Sequence, residues 1–499
     1  MRDLFLGVDV GTASTKGVLV DTDGTVVASA VREHELSLPQ PGWAEHDAEA
    51  TWWEDFVAVS RELTAGEHGR VTSVGVSGIG PCLLAATAAG TPLRPAILYG
   101  IDTRATAEID DQQRRYGADA ILARCGSPLT SQAIGPKIEW LRRHEPEVWT
   151  RTDRIFMASS FLVHRLTGAY ILDHHSASQS VPMYDLDAAD WASDWCADIA
   201  PGLRLPELAW PGDVVGTVSA DAARLSGITA GTPVVAGTVD AWAEALSVGV
   251  RRPGDLMLMY GSTMFLVQVV ERPLRSPALW GTAGVLPGTY CLAGGMATSG
   301  ALTEWLRRLT GADGYATLTD EAAGVPAGSD GLLMLPYFAG ERTPLFDVDA
   351  RGVVAGLTLR HGREHLYRAA LEATAFGIRH NLEAMSAVGA DPGRLVAVGG
   401  GTRGGLWTRI VSDILDRQQQ VPAQTVGASL GDAMLAARAV APDLTVDDWN
   451  PVVHVVEPTA AHRAVYDELY GAYRSLYPAT REQAHLLARI QRSGSAHLT

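Results

Sequence analysis

The chain has 499 residues, of which 46% are hydrophobic and 19% charged, and this composition excludes a disordered or fibrous protein. Lys and Arg number 40 against 57 Asp and Glu, so the formal net charge is −17, which argues against nucleic acid and anionic membrane surfaces as partners. A chain of this length exceeds one ordinary core and predicts two or three domains.

The N-terminal residues and the cysteines indicate a cytoplasmic location. MRDLFLGVDVG lacks the basic start and cleavage region of a signal peptide, and the sequence has no run of about 18 uncharged apolar residues. The four cysteines are scattered, without the CxxC spacing of a zinc site or redox pair. We therefore expect a cytoplasmic protein with reduced thiols.

The first part of the chain alternates strand and helix patterns. LFLGVDVGTASTKGVLVDTDGTVVASAV predicts three strands, joined first by a turn of small residues and then by a DG turn. AEATWWEDFVAVSRELTAG has helical spacing, and VTSVGVSGIG predicts another strand. The alternation continues to about residue 180 and predicts an α/β domain.

The second half repeats the opening theme after a Pro- and Gly-rich connection at residues 201–233. VVAGTVDAWAEALSVGV and DLMLMYGSTMFLVQVV again give a strand, a turn of small residues and a strand, which indicates two related halves. Further on, REHLYRAALEATAFGIRHNLEAMSAVG predicts a long helix, and RLVAVGGG predicts a strand that leads into the helix GLWTRIVSDILDRQ. HRAVYDELYGAYRSLY predicts an amphipathic C-terminal helix, and we expect the polar tail from Arg489 to fray.

The turn after the first strand has the residues of a phosphate cradle. Asp9 ends the strand, small residues follow whose N–H groups and hydroxyls can approach an anion, and Lys16 supplies an ammonium group. Lys16 and Lys137 are the only lysines in a chain that otherwise uses arginine, which indicates that a compact ammonium is wanted at these positions. A tight β-turn with a solvated lysine explains the same residues, and the Walker A pattern is absent.

Two further turns repeat this chemistry. Tyr260 to Thr263 form a second turn of small residues, and Gly399 to Thr402 form a Gly-rich strand exit before a helix. Successive glycines permit close backbone approach to a flat ligand or a phosphate, although each turn alone is also an ordinary connection. Together the three turns predict a nucleotide site.

Asp240 lies where a strand pattern meets a helix pattern. Aspartate is a common helix N-cap, but the capping-box position three residues on is Ala243 rather than Glu. The preceding apolar strand would point Asp240 into a cleft, where a carboxylate can accept a hydroxyl proton during phosphoryl transfer. Asp9 would instead lie near Mg²⁺, since hard cations prefer carboxylate and water oxygens.

These segments resemble the FGGY family of carbohydrate kinases over nearly the whole chain. GVDVGTASTKGVLVD is similar to the family's first phosphate motif, GTVDAWAEALSVG to its catalytic-Asp segment, YGSTMF to its second phosphate motif and AVGGGTRGGLWTRIVSDIL to its adenosine motif. RGVVAGLTLRHGREHLYRAALE fits its C-terminal signature residue for residue. The resemblance, which is to xylulokinase-like members, implies an α/β, two-domain actin-like ATPase (ribonuclease H-like) fold with a cleft between the domains.

The resemblance also implies domain bounds and site residues. We expect an N-terminal domain over residues 1–247, a C-terminal adenosine-binding domain over 248–440, and a C-terminal extension and helix over 441–499. Asp240 would be the general base that takes a proton from the sugar hydroxyl, and Asp9 would position Mg²⁺ through water, with ATP as the phosphoryl donor. The implied nucleotide and phosphate site comprises Asp9, Gly11, Thr12, Ser14, Thr15, Lys16, Gly261, Ser262, Thr263, Gly399, Gly400, Gly401 and Thr402, and the implied sugar site comprises Gly80, Pro81, Asp102, Arg104 and Asp240.

Two departures from the family pattern bear on the substrate. Where xylulokinases carry a QMH-like triplet and glycerol kinases an Arg-Glu pair, this chain has Ile79-Gly80-Pro81 followed by Cys82. The family's aromatic residue before Asp102 is also displaced by an insertion. Either change could enlarge or dehydrate the sugar pocket.

The expected reaction is the ATP-dependent phosphorylation of a ketopentose such as D-xylulose. The alternatives are a kinase for another ketose or polyol (ribulose, a fructose-like sugar, erythritol or glycerol), a non-catalytic sugar sensor on the same fold, and an actin-like filament or chaperone ATPase. The resemblance further implies a homodimer, with no nucleic-acid or membrane partner.

Overall fold

The computed structural model describes residues 2–66, 68–445 and 448–495. They form two compact units that both contain strands and helices. The first unit comprises Met1–Pro253, Val269–Cys291 and Val426–Pro451, and the second comprises Gly254–Gln268, Leu292–Thr425 and Val452–Thr499. In the described part of the chain, no helix has the length and apolar character needed to cross a membrane.

Strands and helices alternate along most of the chain. The strands are β1 (Asp3–Val10), β2 (Ser14–Asp21), β3 (Val26–Glu33), β4 (Glu45–His46), β5 (Arg70–Gly78), β6 (Leu84–Ala86), β7 (Ala96–Ile97), β8 (Arg154–Phe156), β9 (Ile171–Asp173), β10 (Tyr184–Asp185), β11 (Asp190–Trp191), β12 (Glu207–Ala209), β13 (Val214–Thr217), β14 (Pro233–Val235), β15 (Thr238–Val239), β16 (Asp255–Tyr260), β17 (Met264–Val270), β18 (Trp280–Ala283), β19 (Tyr290–Met296), β20 (Leu333–Leu335), β21 (Val353–Ala355), β22 (Arg394–Val398), β23 (Gln419–Pro422) and β24 (Val452–Val456). The α-helices are α1 (Glu54–Thr64), α2 (Thr106–Tyr116), α3 (Ala118–Cys125), α4 (Ile134–His144), α5 (Pro146–Trp149), α6 (Ala158–Thr167), α7 (His174–Ser178), α8 (Ser193–Ile199), α9 (Ala220–Ser226), α10 (Asp240–Ser247), α11 (Gly300–Thr310), α12 (Tyr315–Ala323), α13 (Arg363–Ser386), α14 (Leu406–Leu415), α15 (Ala428–Val440) and α16 (Arg463–Ser495). A turn of π-helix (Ala48–Trp53) precedes α1, and short 3₁₀ turns occur at Ser329–Gly331, Gly400–Thr402 and Ala460–His462.

The first unit is built on a sheet with the strand order β13-β14-β5-β1-β2-β3, in which β15 also pairs with β5. β1 runs antiparallel to β2 and parallel to β5. The apolar residues of β1 and β5 are buried because helices cover the sheet, as a parallel pair requires. Helix α15 lies directly on these strands, since a Cβ at Gly7 would stand 1.9 Å from the Ser429 carbonyl oxygen.

A second sheet has the strand order β18-β19-β17-β16-β22-β23-β24. β16 is antiparallel to β17 on one side and parallel to β22 on the other. The pairing of β16 with its two neighbours therefore repeats that of β1 with β2 and β5. This is the relationship between halves that the repeated sequence theme predicts.

The C-terminal helix is longer than the sequence predicts. α16 continues through Pro478 to Ser495, so the fraying expected from Arg489 is not seen over residues 489–495, and residues 496–499 lie outside the described residues. Its extension is held by polar contacts with one loop of the second unit. His485 Nε2 lies 2.7 Å from Asp347 Oδ2, and Arg492 forms an ion pair with Asp349. These long-range contacts are invisible in a local hydrophobic pattern.

Candidate active site

The carboxyl groups of Asp9 and Asp240 are brought to one end of the first sheet by β5. Ser77 of β5 is in register with Asp9 of β1 on one side and with Thr238 of β15 on the other. Neighbouring strands lie about 4.8 Å apart, so β1 and β15 are separated by roughly 10 Å. Asp240 follows β15 directly as the first residue of α10.

Asp240 is not the N-cap of its helix. The cap position of α10 is Val239, and Oδ1 of Asp240 accepts a hydrogen bond of 2.7 Å from the adjacent Ala241 N–H. The N-cap explanation of this residue is therefore excluded in its usual form. The second carboxylate oxygen is left for another partner at the sheet end.

The acidic groups of this region oppose one another's ionisation. Burial, and then the charge of Asp9, raise the pKa of Asp240 well above its usual range. Burial also raises the pKa of Asp9 to about 6, although the Ser77 hydroxyl and the Lys16 ammonium act to lower it. Burial and the charge of Asp9 raise the pKa of Glu244 to about 7. A cation or a proton placed among these groups would be stabilised.

Ser77 and Asp432 belong to the same cluster, and the sequence analysis did not identify them. Ser77 Oγ lies 3.1 Å from Asp9 Oδ1 and 2.7 Å from Asp432 Oδ2. A hydroxyl has one hydrogen and cannot donate to both carboxyl groups at once. Burial and the charge of Asp9 raise the pKa of Asp432, so a protonated Asp432 can donate to Ser77, which then donates to Asp9. The signal in the sequence is a single acid within the apolar stretch ASLGDAMLAA.

The turn between β1 and β2 is tightly folded. The Gly11 N–H donates to the Ser14 carbonyl oxygen at 2.9 Å, and the Thr12 hydroxyl lies 3.1 Å from the Tyr99 hydroxyl. Lys16 is exposed on β2 directly opposite Asp9 in the strand register. The turn therefore combines backbone N–H groups, hydroxyls and one ammonium within a few residues.

Thr15 differs from the other residues of this turn. Its side chain is fully buried, and its hydroxyl lies 3.4 Å from Asp55 Oδ2. Successive strand residues point to opposite faces of a sheet, so Thr15 and Lys16 face opposite sides of β2. The Thr15 hydroxyl is directed at the protein interior.

In the second unit, the other two predicted turns lie at one edge of the second sheet. Met259 of β16 pairs with Val398 of the parallel β22, so Gly261 to Thr263 and Gly399 to Thr402 follow neighbouring strand ends. Gly399 has φ +93°, and a Cβ there would stand 2.7 Å from the Tyr260 carbonyl oxygen. Only glycine fits this position, because both the backbone conformation and the space require it.

The predicted sugar-site residues Gly80 and Pro81 lie beside the segment that carries Asp240. A Cβ at Gly80 would stand 2.7 Å from Val239 Cγ2, so Gly80 packs against the residue that precedes Asp240. Cys82 is buried next to them, and burial raises the pKa of its thiol to about 12. Gly80, Pro81 and Cys82 therefore form a neutral wall beside the Asp240 segment.

Asp102 and Arg104 form a closed ion pair. The Arg104 guanidinium donates to both carboxylate oxygens of Asp102 and to Glu45 Oε1, and its side chain has no exposed surface. It also lies 3.9 Å from the centre of the Trp43 ring. Asp102 in turn accepts from the Ala44 N–H at 2.7 Å. The backbone N–H groups of Ala44 and Arg104 both donate to Asp102, so the pair also holds the local backbone in place.

Comparison with known proteins identifies the family. Residues 4–247 match the N-terminal domain of the FGGY family of carbohydrate kinases, and residues 256–440 match its C-terminal domain. The chain belongs to the FGGY family of carbohydrate kinases. The family, the α/β actin-like ATPase fold and the carbohydrate-kinase class predicted from the sequence are confirmed.

The FGGY relatives include kinases for different substrates. A xylulose kinase of Escherichia coli (strain K12) is 30% identical over 95% of this chain and 98% of its own length. A glycerol kinase of Nocardia farcinica is 31% identical over 94% of this chain and 98% of its own length. The crystal structure of a xylulose kinase from Rhodospirillum rubrum has a TM-score of 0.90 and 35% identity, covering 97% of this chain and all 100% of that one. FGGY kinases use ATP as the phosphoryl donor and act on a small sugar or polyol.

Proposed function

We propose that this FGGY kinase transfers the γ-phosphoryl group of ATP to a hydroxyl group of a ketopentose such as D-xylulose. The observation that carries the proposal is the register across β5, which sets Asp9 and Asp240 at neighbouring strand ends on either side of Ser77. Phosphoryl transfer needs a base for the attacking hydroxyl and compensation for the phosphate charge. One carboxylate can act as the base, and the other can hold the cation that compensates the phosphate charge.

Asp240 is the proposed general base. Its raised pKa makes it a stronger base than an ordinary aspartate, and its second carboxylate oxygen can accept the proton of a sugar hydroxyl. The base works only while it is ionised, so a cation bound beside Asp9 would have to hold it in that form at neutral pH. The Lys16 ammonium acts to lower the pKa of Asp9, whose charge in turn contributes to the raised pKa of Asp240.

The residues around Asp9 fit a Mg²⁺ ion bound through water. Among the described residues, no group of three His, Cys, Asp or Glu side chains could hold a metal ion directly. Mg²⁺ keeps several of its own waters and needs only one or two carboxylates besides the phosphate oxygens of its ligand. Asp9, partly exposed at a strand end, provides one such carboxylate. When bound, the ion would neutralise charge that develops on the phosphate oxygens.

The glycine-rich turns are proposed to hold the nucleotide. Gly11, Thr12, Ser14 and Lys16 offer N–H groups, hydroxyls and an ammonium to phosphate oxygens. In the second unit, Gly261 to Thr263 are assigned to phosphate and Gly399 to Thr402 to the adenosine, because the latter turn lacks side chains that would block a flat base. Thr15 supports the first turn from inside, since its hydroxyl faces Asp55.

A ketopentose is the proposed substrate class because xylulose kinases are prominent among the relatives. The neutral wall of Gly80, Pro81 and Cys82 lies next to the Asp240 segment and offers the sugar few polar partners. The glycerol kinase relative, at similar identity, makes a shorter polyol the competing substrate. The ketopentose and the shorter polyol differ in length, so a series of acceptors can distinguish these two substrate classes.

The experiment is ADP release from the purified protein with Mg-ATP and one added acceptor at a time. The panel contains D-xylulose, L-xylulose, D- and L-ribulose, fructose, gluconate, erythritol, glycerol and the common pentitols. We expect the highest kcat/KM with a ketopentose. A higher kcat/KM with glycerol or erythritol would overturn the substrate class, and equal release without any acceptor would overturn the proposal itself.

A further inference from the structure

A histidine lies beneath the first turn, and neither the sequence motifs nor the proposed reaction uses it. His34 follows β3, and its side chain is only 8% exposed. Its Nδ1 lies 2.8 Å from Asp55 Oδ2, and its Nε2 lies 3.1 Å from the Gly11 carbonyl oxygen. Its backbone N–H also donates to the Ala13 carbonyl oxygen at 3.0 Å. His34 therefore contacts the turn at two points.

Both ring nitrogens of His34 face hydrogen-bond acceptors. A carbonyl oxygen can only accept, so Nε2 must carry a hydrogen toward Gly11. An ionised carboxylate can only accept as well, so Nδ1 must carry a hydrogen toward Asp55. The geometry therefore places both ring nitrogens of His34 as donors, as in an imidazolium ring.

A neighbouring histidine, His46, differs from His34 because one of its ring nitrogens accepts a hydrogen bond. The ring of His46 lies 5.1 Å from that of His34, and its Nδ1 accepts the indole N–H of Trp52 at 3.1 Å. An accepting Nδ1 carries no proton, so His46 is neutral. Burial, and then the charge of His34, lower the pKa of His46 to about 4. Asp55 of α1 and His46 of β4 are titratable side chains that contact the His34 ring.

The bond from His34 also orients the first turn. In a trans peptide the carbonyl and the following N–H point in opposite directions. Because the Gly11 carbonyl points at His34, the Thr12 N–H points away from it. A turn held in this way directs that N–H group away from the His34 ring, with the ring behind the peptide, which is an arrangement that favours an anion.

We propose that His34 is a positioning residue of the nucleotide site, whose imidazolium ring is anchored by Asp55 and fixes the Gly11–Thr12 peptide for contact with a phosphate group. This inference rests on the proposed function in one respect, the assignment of the first turn to phosphate. The charge of His34 is independent of that assignment. The two parts can therefore be tested separately.

The charge is tested by ¹⁵N NMR of the full chain labelled at histidine. At neutral pH we expect both ring nitrogens of His34 to show shifts of protonated nitrogen, whereas His46 should show one protonated and one bare nitrogen. The His34 signals are assigned by their loss in His34→Gln. If that variant does not fold, they are assigned by their selective shift in Asp55→Asn. A single protonated nitrogen in His34 would overturn the proposal.

The positioning role is tested by calorimetric binding of Mg-ATP to wild type, His34→Gln and the double variant His34→Gln/Asp55→Asn. The two amides of the double variant can restore the hydrogen-bond chain without the charge. We expect the Kd to rise about tenfold or more in both variants, as for the loss of a charged hydrogen-bond partner. We also expect kcat at saturating ATP to change less than the Kd.

A wild-type Kd in the double variant would mean that shape alone matters and would overturn the role of the charge. An unchanged Kd in His34→Gln would overturn the positioning role. If wild type releases no ADP with any acceptor, the proposed function fails, while the NMR and calorimetric results still decide the role of His34.

Discussion

A Cβ atom at Gly431 would stand 1.9 Å from the carbonyl oxygen of Ala243, so helices α15 and α10 cross in direct backbone contact at these two residues. The helix α10 begins at Asp240, the proposed base. The crossing therefore fixes the position of α10 relative to the first sheet. It also ties the segment Val426–Pro451 into the first unit, far from its position in the sequence.

Gly431→Ala is expected to force α10 and α15 apart and to destabilise the protein by roughly 1–3 kcal/mol, with a loss of activity. Thermal unfolding and kcat measure the two effects. The matched control is Gly471→Ala on α16, another helical glycine, where nothing lies within 4 Å of the added Cβ. That control should be neutral or stabilising by about 0.5–1 kcal/mol. Equal melting temperatures for Gly431→Ala and wild type would contradict the close crossing.

Asp240→Asn is expected to lower kcat by at least about 10²-fold while leaving the Kd for Mg-ATP nearly unchanged, because the amide keeps the shape but cannot take a proton. Steady-state kinetics and calorimetry give the two quantities. Asp221→Asn on α9, an exposed aspartate of the same unit, is the control and should retain full activity. Near-normal turnover in Asp240→Asn would remove this residue from the mechanism.

The local pattern of the sequence predicts the positions of Asp240 and the three glycine-rich turns, because each lies where a strand meets a turn or helix. The repeated strand–turn–strand theme likewise predicted the equivalent hairpins of β1–β2 and β16–β17. These features depend on residues that are neighbours in the chain. A single sequence records such relationships directly.

The partners of these residues could not be found in that way. Ser77 and Asp432 are 355 positions apart, and their hydrogen bond exists only because α15 lies across β5. The closed pair of Asp102 and Arg104 beneath Trp43 is a packing outcome, so its burial was not visible in the motif. The extension of α16 depends on Asp347 in the same way.

The acid limb of the pH profile of kcat/KM depends on the raised pKa of Asp240, the proposed base. A base must be ionised to accept a proton, so kcat/KM for the sugar should fall as pH decreases through an apparent pKa above that of an ordinary aspartate. The charge of Glu244 contributes to the raised pKa of Asp240. Glu244→Gln should therefore move the acid limb to lower pH. A limb that stays in place, or moves to higher pH, would contradict this coupling.

Asp432 should make stability depend on pH. Its pKa is raised in the folded protein, so the fold favours the protonated form. The stabilising contribution is complete below the ordinary carboxyl pKa of about 4 and is lost as pH rises through the raised value. Asp432→Asn keeps the shape without an ionisable proton. Its melting temperature relative to wild type should rise steadily from acidic to alkaline pH, and a constant difference would show that Asp432 is not protonated in the fold.

The central claim is direct transfer of the phosphoryl group from ATP to a sugar hydroxyl with Asp240 as base. The most direct test uses Mg-ATP with ¹⁸O in its γ-phosphoryl group and D-xylulose in ordinary water, with mass spectrometry of the products. We expect wild type to form a pentulose phosphate that retains the label, and Asp240→Asn to form almost none. Inorganic phosphate containing oxygen from water, with no sugar phosphate for any acceptor of the panel, would contradict it.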